Sequence, residues 1–185
     1  MNSFGVAVNL SVKSLHDPQL PDVIRLLLQS WEQRPELLTF EITESALMAD
    51  PATALQVLAQ ISDIGCRLSL DDFGTGYSSL AYLQKLPIDE LKIDRSFVVP
   101  MTHDDNAAVI VRSVVQLAKG LGLGVVAEGV ETQEAFASLR SLGCEHVQGF
   151  LFGPSMGNAE FRRWLTISPW SRRAAQHRRA PVPAY

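Results

Sequence analysis

The chain has little cysteine, few histidines and no long apolar run, and each shortage excludes a class of protein. Cys66 and Cys144 lie far apart without the paired spacing of a zinc site, so we expect two buried thiols in a reducing compartment. No stretch reaches the roughly 18 uncharged apolar residues of a membrane helix, and residues 1–12 lack the pattern of a signal peptide. The sequence therefore predicts a cytoplasmic domain, which a longer parent protein could still anchor to a membrane.

Charge is distributed unevenly along the 185 residues, whose net charge is −4. Residues 168–185 contain four arginines and no acidic residue, which leaves twelve basic against twenty acidic residues in 1–167. We predict one domain over 1–167 and a basic, disordered tail over 168–185. An acidic domain argues against binding to a DNA or RNA duplex, but it can bind a small phosphodiester if bound cations invert the local field.

Short apolar runs alternate with helical stretches along the chain. Several of the runs are continuously apolar, as in parallel strands that are covered on both faces. Six strand–helix units predict a parallel α/β sheet, either doubly wound or part of a (β/α)8 barrel, which would be incomplete because a full barrel takes about eight units. Helices are expected from about Pro21 and over 51–65, 80–86, 106–121, 131–143 and 158–165. The predicted strands are Phe4–Leu10, Leu37–Ile42, Cys66–Leu70, Glu90–Ile93, Gly124–Ala127 and Glu145–Phe150.

Polar side chains stand at the carboxyl end of every predicted strand. In parallel α/β folds these ends share one edge, where active sites lie. Any single acid there is as readily structural as functional, but five or more converging acids repel one another unless cations neutralise them. Carboxylate and amide oxygens favour Mg²⁺ or Mn²⁺ over zinc. The candidate residues are Asn9, Glu41, Glu44, Asp71, Asp72, Lys92, Asp94, Glu128, Glu131 and Gln148.

The adjacent acids Asp71 and Asp72 are the most informative pair. Inside a strand they would point to opposite faces, but at its end, where the backbone turns, both can reach the same edge. Such a pair is expected to bridge two metal ions that promote attack of a metal-bound hydroxide on phosphorus. Lys92 would place a positive charge near the phosphate or hold the attacking water.

Six motifs together resemble those of EAL domains over about residues 4–165. In order they are Asn9–Ser11, Glu41–Ser45, Asp71–Leu80, Leu91–Phe97, Val126–Thr132 and Gln148–Phe152. The resemblance implies an incomplete TIM-like barrel of the EAL type that hydrolyses cyclic di-GMP to linear pGpG with two Mg²⁺ or Mn²⁺ ions in bacterial signalling. It also implies a homodimer and, in the parent protein, an upstream sensory or diguanylate cyclase (GGDEF) domain.

The resemblance assigns roles to individual residues. The residues that would hold the two metals are Asn9, Glu41 and Asp71 for the first, and Asp71, Asp72 and Glu128 for the second. Lys92 would orient the water, and Glu128 is also the suggested general base, in a catalytic set that includes Asp72. Gln148, Glu131 and Asp94 would contact substrate or metal-bound water. Glu44 would anchor the loop Phe73–Ser79, which in the family couples dimerisation to activity.

Two departures from the family pattern bear on activity. The family is named for a Glu-Ala-Leu or Glu-Val-Leu sequence on an early strand, which supplies a metal ligand, and this chain begins after that point; its Glu134-Ala135 lies on a late predicted helix. We therefore expect slow turnover or none from this chain. Residues 153–156, Gly-Pro-Ser-Met, stand where a basic residue and Pro-Met are usual. The alternative is a non-catalytic cyclic di-GMP receptor, although such a receptor would be expected to lose acids that this chain retains.

Overall fold

The structure, a computed structural model, describes residues 4–76 and 80–170. Six parallel strands form one sheet. The strands are β1 Val6–Asn9, β2 Leu38–Thr43, β3 Arg67–Phe73, β4 Glu90–Ile93, β5 Gly124–Ala127 and β6 His146–Val147. The α-helices are α1 Val12–Leu15, α2 Leu20–Ser30, α3 Glu44–Ala49, α4 Pro51–Ile64, α5 Leu80–Leu83, α6 Arg95–Val98, α7 Asp105–Gly120, α8 Gln133–Leu142 and α9 Asn158–Ile167. Short 3-10 turns span Pro35–Leu37 and Pro100–Thr102.

The order of the strands decides between the two predicted architectures. Each strand pairs with the next one along the chain, in the order β1-β2-β3-β4-β5-β6. A doubly wound sheet would reverse direction at a switch point, and this sheet has none. The sheet curls, so that Phe4, before β1, lies 6.1 Å from Phe161 of α9 between ring centroids. The fold is therefore an incomplete TIM-like barrel, as predicted.

The predicted elements agree best where a polar residue, a proline or a glycine marks an end of the element. β4 and β5 have the predicted bounds, and α4 begins at Pro51 and ends before Gly65, which has the left-handed φ of 96°. The predicted last strand, Glu145–Phe150, is wrong in length, since only His146–Val147 pairs with β5. Helices α1, α3 and α6 are too short for a periodic apolar pattern, and each begins after a side chain that caps it, from Ser11, Thr43 and Asp94.

The core lies between the sheet and the helices that cover it. Leu68 and Leu70 of β3 and Leu91 and Ile93 of β4 are fully buried. By contrast, all four residues of the edge strand β1 are exposed. The sheet is thus most deeply buried at β3 and β4, the strands that carry Asp71 and Lys92.

Packing continues past the predicted end of the domain at residue 167. Ser168 is buried, and Trp170 packs against Phe136 and Phe152. The rest of the predicted tail, including its four arginines, lies outside the described residues, and its disorder stays a prediction. Both cysteines are free thiols, with Cys66 buried and Cys144 half-buried. Among the described helices, none has the length and apolar character to span a bilayer.

Candidate active site

The register of the strands aligns the predicted site residues along one edge of the sheet. Asn9 pairs with Glu41, and Asp71 lies two residues beyond Ser69, the partner of Glu41 on β3. Beyond β5, the Glu128 amide donates to the carbonyl of Ile93 at 3.1 Å. Each of these side chains therefore stands within two residues of the carboxyl end of its strand, on one edge of the sheet.

A bulge in β3 presents both adjacent aspartates at this edge. Leu70 pairs with Leu91 and Phe73 with Ile93, so Asp71 and Asp72 together face the single residue Lys92 of β4. Asp72 has a φ of 57°, in the left-handed region that few residues other than glycine adopt. The bulge is the backbone turn that the sequence argument required, although it interrupts β3 rather than ending it.

The ammonium group of Lys92 lies at the centre of the site. Its Nζ is 3.0 Å from Glu41 Oε2, 3.0 Å from Asp71 Oδ2 and 2.7 Å from Glu128 Oε1. Lys92 is 3% exposed, so these ion pairs are shielded from water. Because all three oxygens contact one nitrogen, any two of them are at most about 6 Å apart, twice the longest of these distances. Carboxylates from β2, β3 and the end of β5 therefore meet at one point.

The pKa values of these groups reflect the crowding of charge. Burial lowers the pKa of Lys92, but hydrogen bonds to Glu128 and Glu41 and the charge of Asp71 outweigh it, and the net shift is upward. Burial raises the pKa of Glu128, and Lys92 offsets this only in part. Burial, followed by repulsion from Asp71 and Asp94, also raises the pKa of Asp72. The site therefore holds more negative charge than its own lysine neutralises.

Lys92 supplies part of the neutralisation that the converging acids require. Lys92 neutralises one of the three charges of Glu41, Asp71 and Glu128 and leaves two. Within residues 4–76 and 80–170 the three carboxylates surround the Lys92 ammonium group. The donor chemistry still fits Mg²⁺ or Mn²⁺, since the converging atoms are oxygens with excess negative charge.

The structure places the predicted substrate-side residues around a cavity next to Glu128. Glu131 and Gln148 line it, together with Arg95 and Phe150, which the sequence argument did not single out. Arg95 lies 3.9 Å from Glu131, an exposed pair, and Phe150 is 66% exposed. Both residues belong to the motifs that resemble the family. Arg95 follows Asp94 and Phe150 lies two residues after Gln148, and this position in the sequence could have identified them.

Asp94 is not part of this cavity lining, and its carboxylate has another use. It accepts hydrogen bonds from the amide and the hydroxyl of Ser96 and so caps α6. Burial raises its pKa, but the bonds from Ser96 and the charge of Arg95 outweigh it and lower the pKa. Asp94 therefore remains charged and close enough to Asp72 to raise the pKa of that residue.

Glu44 lies against the loop that follows β3. It is 4% exposed, and within residues 4–76 and 80–170 neither of its carboxylate oxygens has a hydrogen-bond partner. A Cβ at Gly76 would come within 2.6 Å of Glu44 Oε1, so any larger residue there would displace the Glu44 carboxylate. Gly74 supplies a left-handed turn, with a φ of 99°. Tyr77–Ser79, the end of the predicted loop, lie outside the described residues.

Comparison with known proteins identifies the family of the chain. The family model described as EAL domain matches residues 1–155. MucR of Pseudomonas aeruginosa, named as a bifunctional diguanylate cyclase/cyclic di-GMP phosphodiesterase, is 46% identical over 153 residues, which are 83% of this chain and 22% of MucR. The chain spans about a fifth of the length of the first curated relatives it matches.

Solved structures show the same fold. A cyclic di-GMP complex of the MucR phosphodiesterase is 44% identical, with a TM-score of 0.81 over 85% of this chain and 64% of that one. BlrP1 of Klebsiella pneumoniae, solved with cyclic di-GMP and manganese, is 35% identical, with a TM-score of 0.76 over 82% of this chain and 39% of BlrP1. A second BlrP1 complex contains calcium. By the match over residues 1–155 and by these relatives, the chain belongs to the EAL-domain family.

Proposed function

We propose that this chain acts as a phosphodiesterase module that hydrolyses cyclic di-GMP to linear pGpG in bacterial signalling. One observation carries the proposal: carboxylates from β2, β3 and the residue after β5 converge on Lys92 and keep excess negative charge at this edge of the sheet. The adjoining cavity offers Arg95 and Phe150, a cation and an exposed aromatic ring, to a ligand made of phosphates and purine bases. The relatives' names support the same substrate.

Divalent metal ions are part of the proposal. Two Mg²⁺ or Mn²⁺ ions, held by Asn9, Glu41, Asp71, Asp72 and Glu128, would supply activation of water and neutralise charge at phosphorus. The excess charge left by Lys92 provides the attraction for them. The bulge supports the assignment, because it presents two adjacent carboxylates to the same edge.

Lys92 positions the carboxylates of the site. An ammonium group has three N–H donors, and three carboxylates stand within 3.0 Å of it. It therefore holds Glu41, Asp71 and Glu128 at one point. The role that the resemblance implies, orienting the attacking water, requires that one of these carboxylates turn away from Lys92.

Glu128 is the best-placed general base. It lines the cavity, and burial raises its pKa, which makes the carboxylate a stronger base. In the proposed reaction the water oxygen forms a bond to phosphorus as the bond from phosphorus to ribose O3′ breaks. The proton released by water passes to Glu128, and O3′ takes up a proton from solvent as it leaves, so the product is linear pGpG with a 5′-phosphate.

The loop after β3 and the assembly of the protein complete the proposal. The buried carboxylate of Glu44 against Gly76 supports its role as an anchor for that loop. A homodimer, a cytoplasmic location, and a sensory or diguanylate cyclase domain in the parent protein are proposed from the family pattern. MucR supports the last of these by its name.

A non-catalytic cyclic di-GMP receptor is the second candidate. It is favoured by one observation: all three donors of Lys92 face carboxylates, so Lys92 occupies the point at which Glu41, Asp71 and Glu128 meet. In that case the ligand would bind in the cavity beside Glu128 without turnover.

Product formation separates the two candidates. The purified 185-residue chain is incubated with cyclic di-GMP and Mn²⁺, and linear pGpG is followed by chromatography. The phosphodiesterase proposal predicts slow pGpG formation that a chelator stops and Asp71→Asn abolishes. Asp63→Asn, at an exposed position of α4, is the matched control and should change nothing. Calorimetric binding without product would favour the receptor, and neither binding nor product would refute both.

A further inference from the structure

The loop that follows β6 forms one wall of the cavity beside Glu128. Its inner side is joined to the segment after β5: the Val130 amide donates to the carbonyl of Gln148, and the Leu151 amide donates to the carbonyl of Val130, both at 3.0 Å. A Cβ at Gly149 would overlap the main chain of Val130, so the two segments are in direct contact. Backbone contacts therefore fix the inner side of the loop.

Two tryptophans from the C-terminal segment hold the outer side. Trp164 Nε1 donates to the carbonyl of Phe152 at 2.9 Å. The ring of Phe152 meets Trp170 with centroids 4.8 Å apart and planes at 64°, and it meets Phe136 of α8 at 5.7 Å. Phe136 and Trp170 are 5.5 Å apart, so the three rings form a closed cluster. Phe152 is thus held through both its main chain and its side chain.

Phe152 connects these tryptophans to the cavity. Phe150, two residues earlier, and Gly153, the next residue, both line the cavity. A shift of Phe152 must therefore displace the wall on either side of it. Both tryptophans lie beyond residue 155, where the family match ends.

We propose that Trp164 and Trp170 are positioning residues that set the shape of the cavity wall from outside the family motifs. The inference rests on the proposed function for the identity of the ligand, cyclic di-GMP. It gives the C-terminal segment up to Trp170 a part in ligand affinity, with no contact between either indole and the ligand.

Ligand affinity is the first test. Calorimetry on the full chain with cyclic di-GMP and Ca²⁺ should show about threefold to tenfold weaker binding for Trp170→Ala, the size expected for lost edge-to-face contacts. Trp170→Phe should keep most of the wild-type affinity, because an aromatic ring remains at this position. Trp31→Ala is the matched control: Trp31 is 72% exposed at the end of α2 and should bind as the wild type does.

Amide hydrogen exchange without ligand is the second test. Trp170→Ala and Trp164→Phe should accelerate exchange at Val130 and Leu151 by about tenfold or more, with the amides of β3 unchanged. Unchanged exchange at the loop, or acceleration spread evenly over the sheet, would overturn the proposal. If Trp170→Ala does not fold, the milder Trp164→Phe decides by the same criterion. Faster exchange confined to the loop, in a chain that binds no cyclic di-GMP, would keep the positioning role and refute the proposed function.

Discussion

Replacing Lys92 with methionine removes the cation from the centre of the site while keeping most of the volume of the side chain. Glu41, Asp71 and Glu128 then face one another without a partner, and none of the three is more than 18% exposed at its side chain. We expect the folded chain to lose stability, because buried like charges repel and cannot be solvated.

The geometry sets the size of the loss. Two unit charges about 6 Å apart repel by about 3 kcal/mol at an effective dielectric constant near 20. The repulsion of three such pairs exceeds the roughly 3.5 kcal/mol that it costs to protonate one carboxyl group at pH 7. One of the carboxyl groups therefore takes up a proton, and this limits the loss of stability. We therefore expect the free energy of unfolding to fall by about 3–5 kcal/mol, the range for a buried charge that loses its partner.

The loss should depend on pH with a definite sign. In the variant the carboxyl groups have a higher pKa folded than unfolded, so the folded chain binds more protons and its stability rises as the pH falls. In the wild type the pKa of Lys92 is raised, because hydrogen bonds to carboxylates outweigh burial. Its contribution is therefore complete below the ordinary lysine value and constant between about pH 5 and 7. The deficit of the variant should shrink from pH 7 to pH 5.

Urea unfolding followed by tryptophan fluorescence at both pH values measures this difference. Lys85→Met, at an exposed position after α5, is the control and should change the free energy by less than about 0.5 kcal/mol. A loss below about 1 kcal/mol for Lys92→Met at pH 7, or a loss equal at both pH values, would contradict the reasoning.

Three further predictions follow from single positions. Asp71→Asn should weaken Mn²⁺ binding by tenfold or more in calorimetry, because one proposed ligand loses its charge; unchanged affinity would remove Asp71 from the metal site. Gly149→Ala should lower the free energy of unfolding by more than about 2 kcal/mol, since the added Cβ overlaps the main chain of Val130, whereas Gly157→Ala, with open space around it, should not. Burial raises the pKa of Cys144 to about 11, so iodoacetamide should modify it slowly at pH 8, as mass spectrometry would show; rapid modification would contradict its burial.

Local chemistry explains why much of the fold was predictable. β4 ends before Asp94 and β5 ends before Glu128, so a polar residue marks the carboxyl end of each strand in the sequence. The same holds for α4, which begins at a proline and ends before a left-handed glycine. The last strand was predicted too long because the chain leaves the sheet after Val147 to meet Val130, a contact between residues distant in sequence.

By itself the sequence determined the six strand–helix units, the acids at the strand ends and the six motifs of the family, because each of these depends on residues that are close together in the sequence. The tertiary structure alone decided that the strands follow chain order in a curled sheet, that Asp71 and Asp72 share one edge through a bulge, and that Trp170 packs on Phe152. It also gave Lys92 three carboxylate partners from three segments of the chain. These features depend on contacts between residues that are distant in the sequence and on how charge is neutralised at those contacts. A pattern of neighbouring residues cannot predict such contacts.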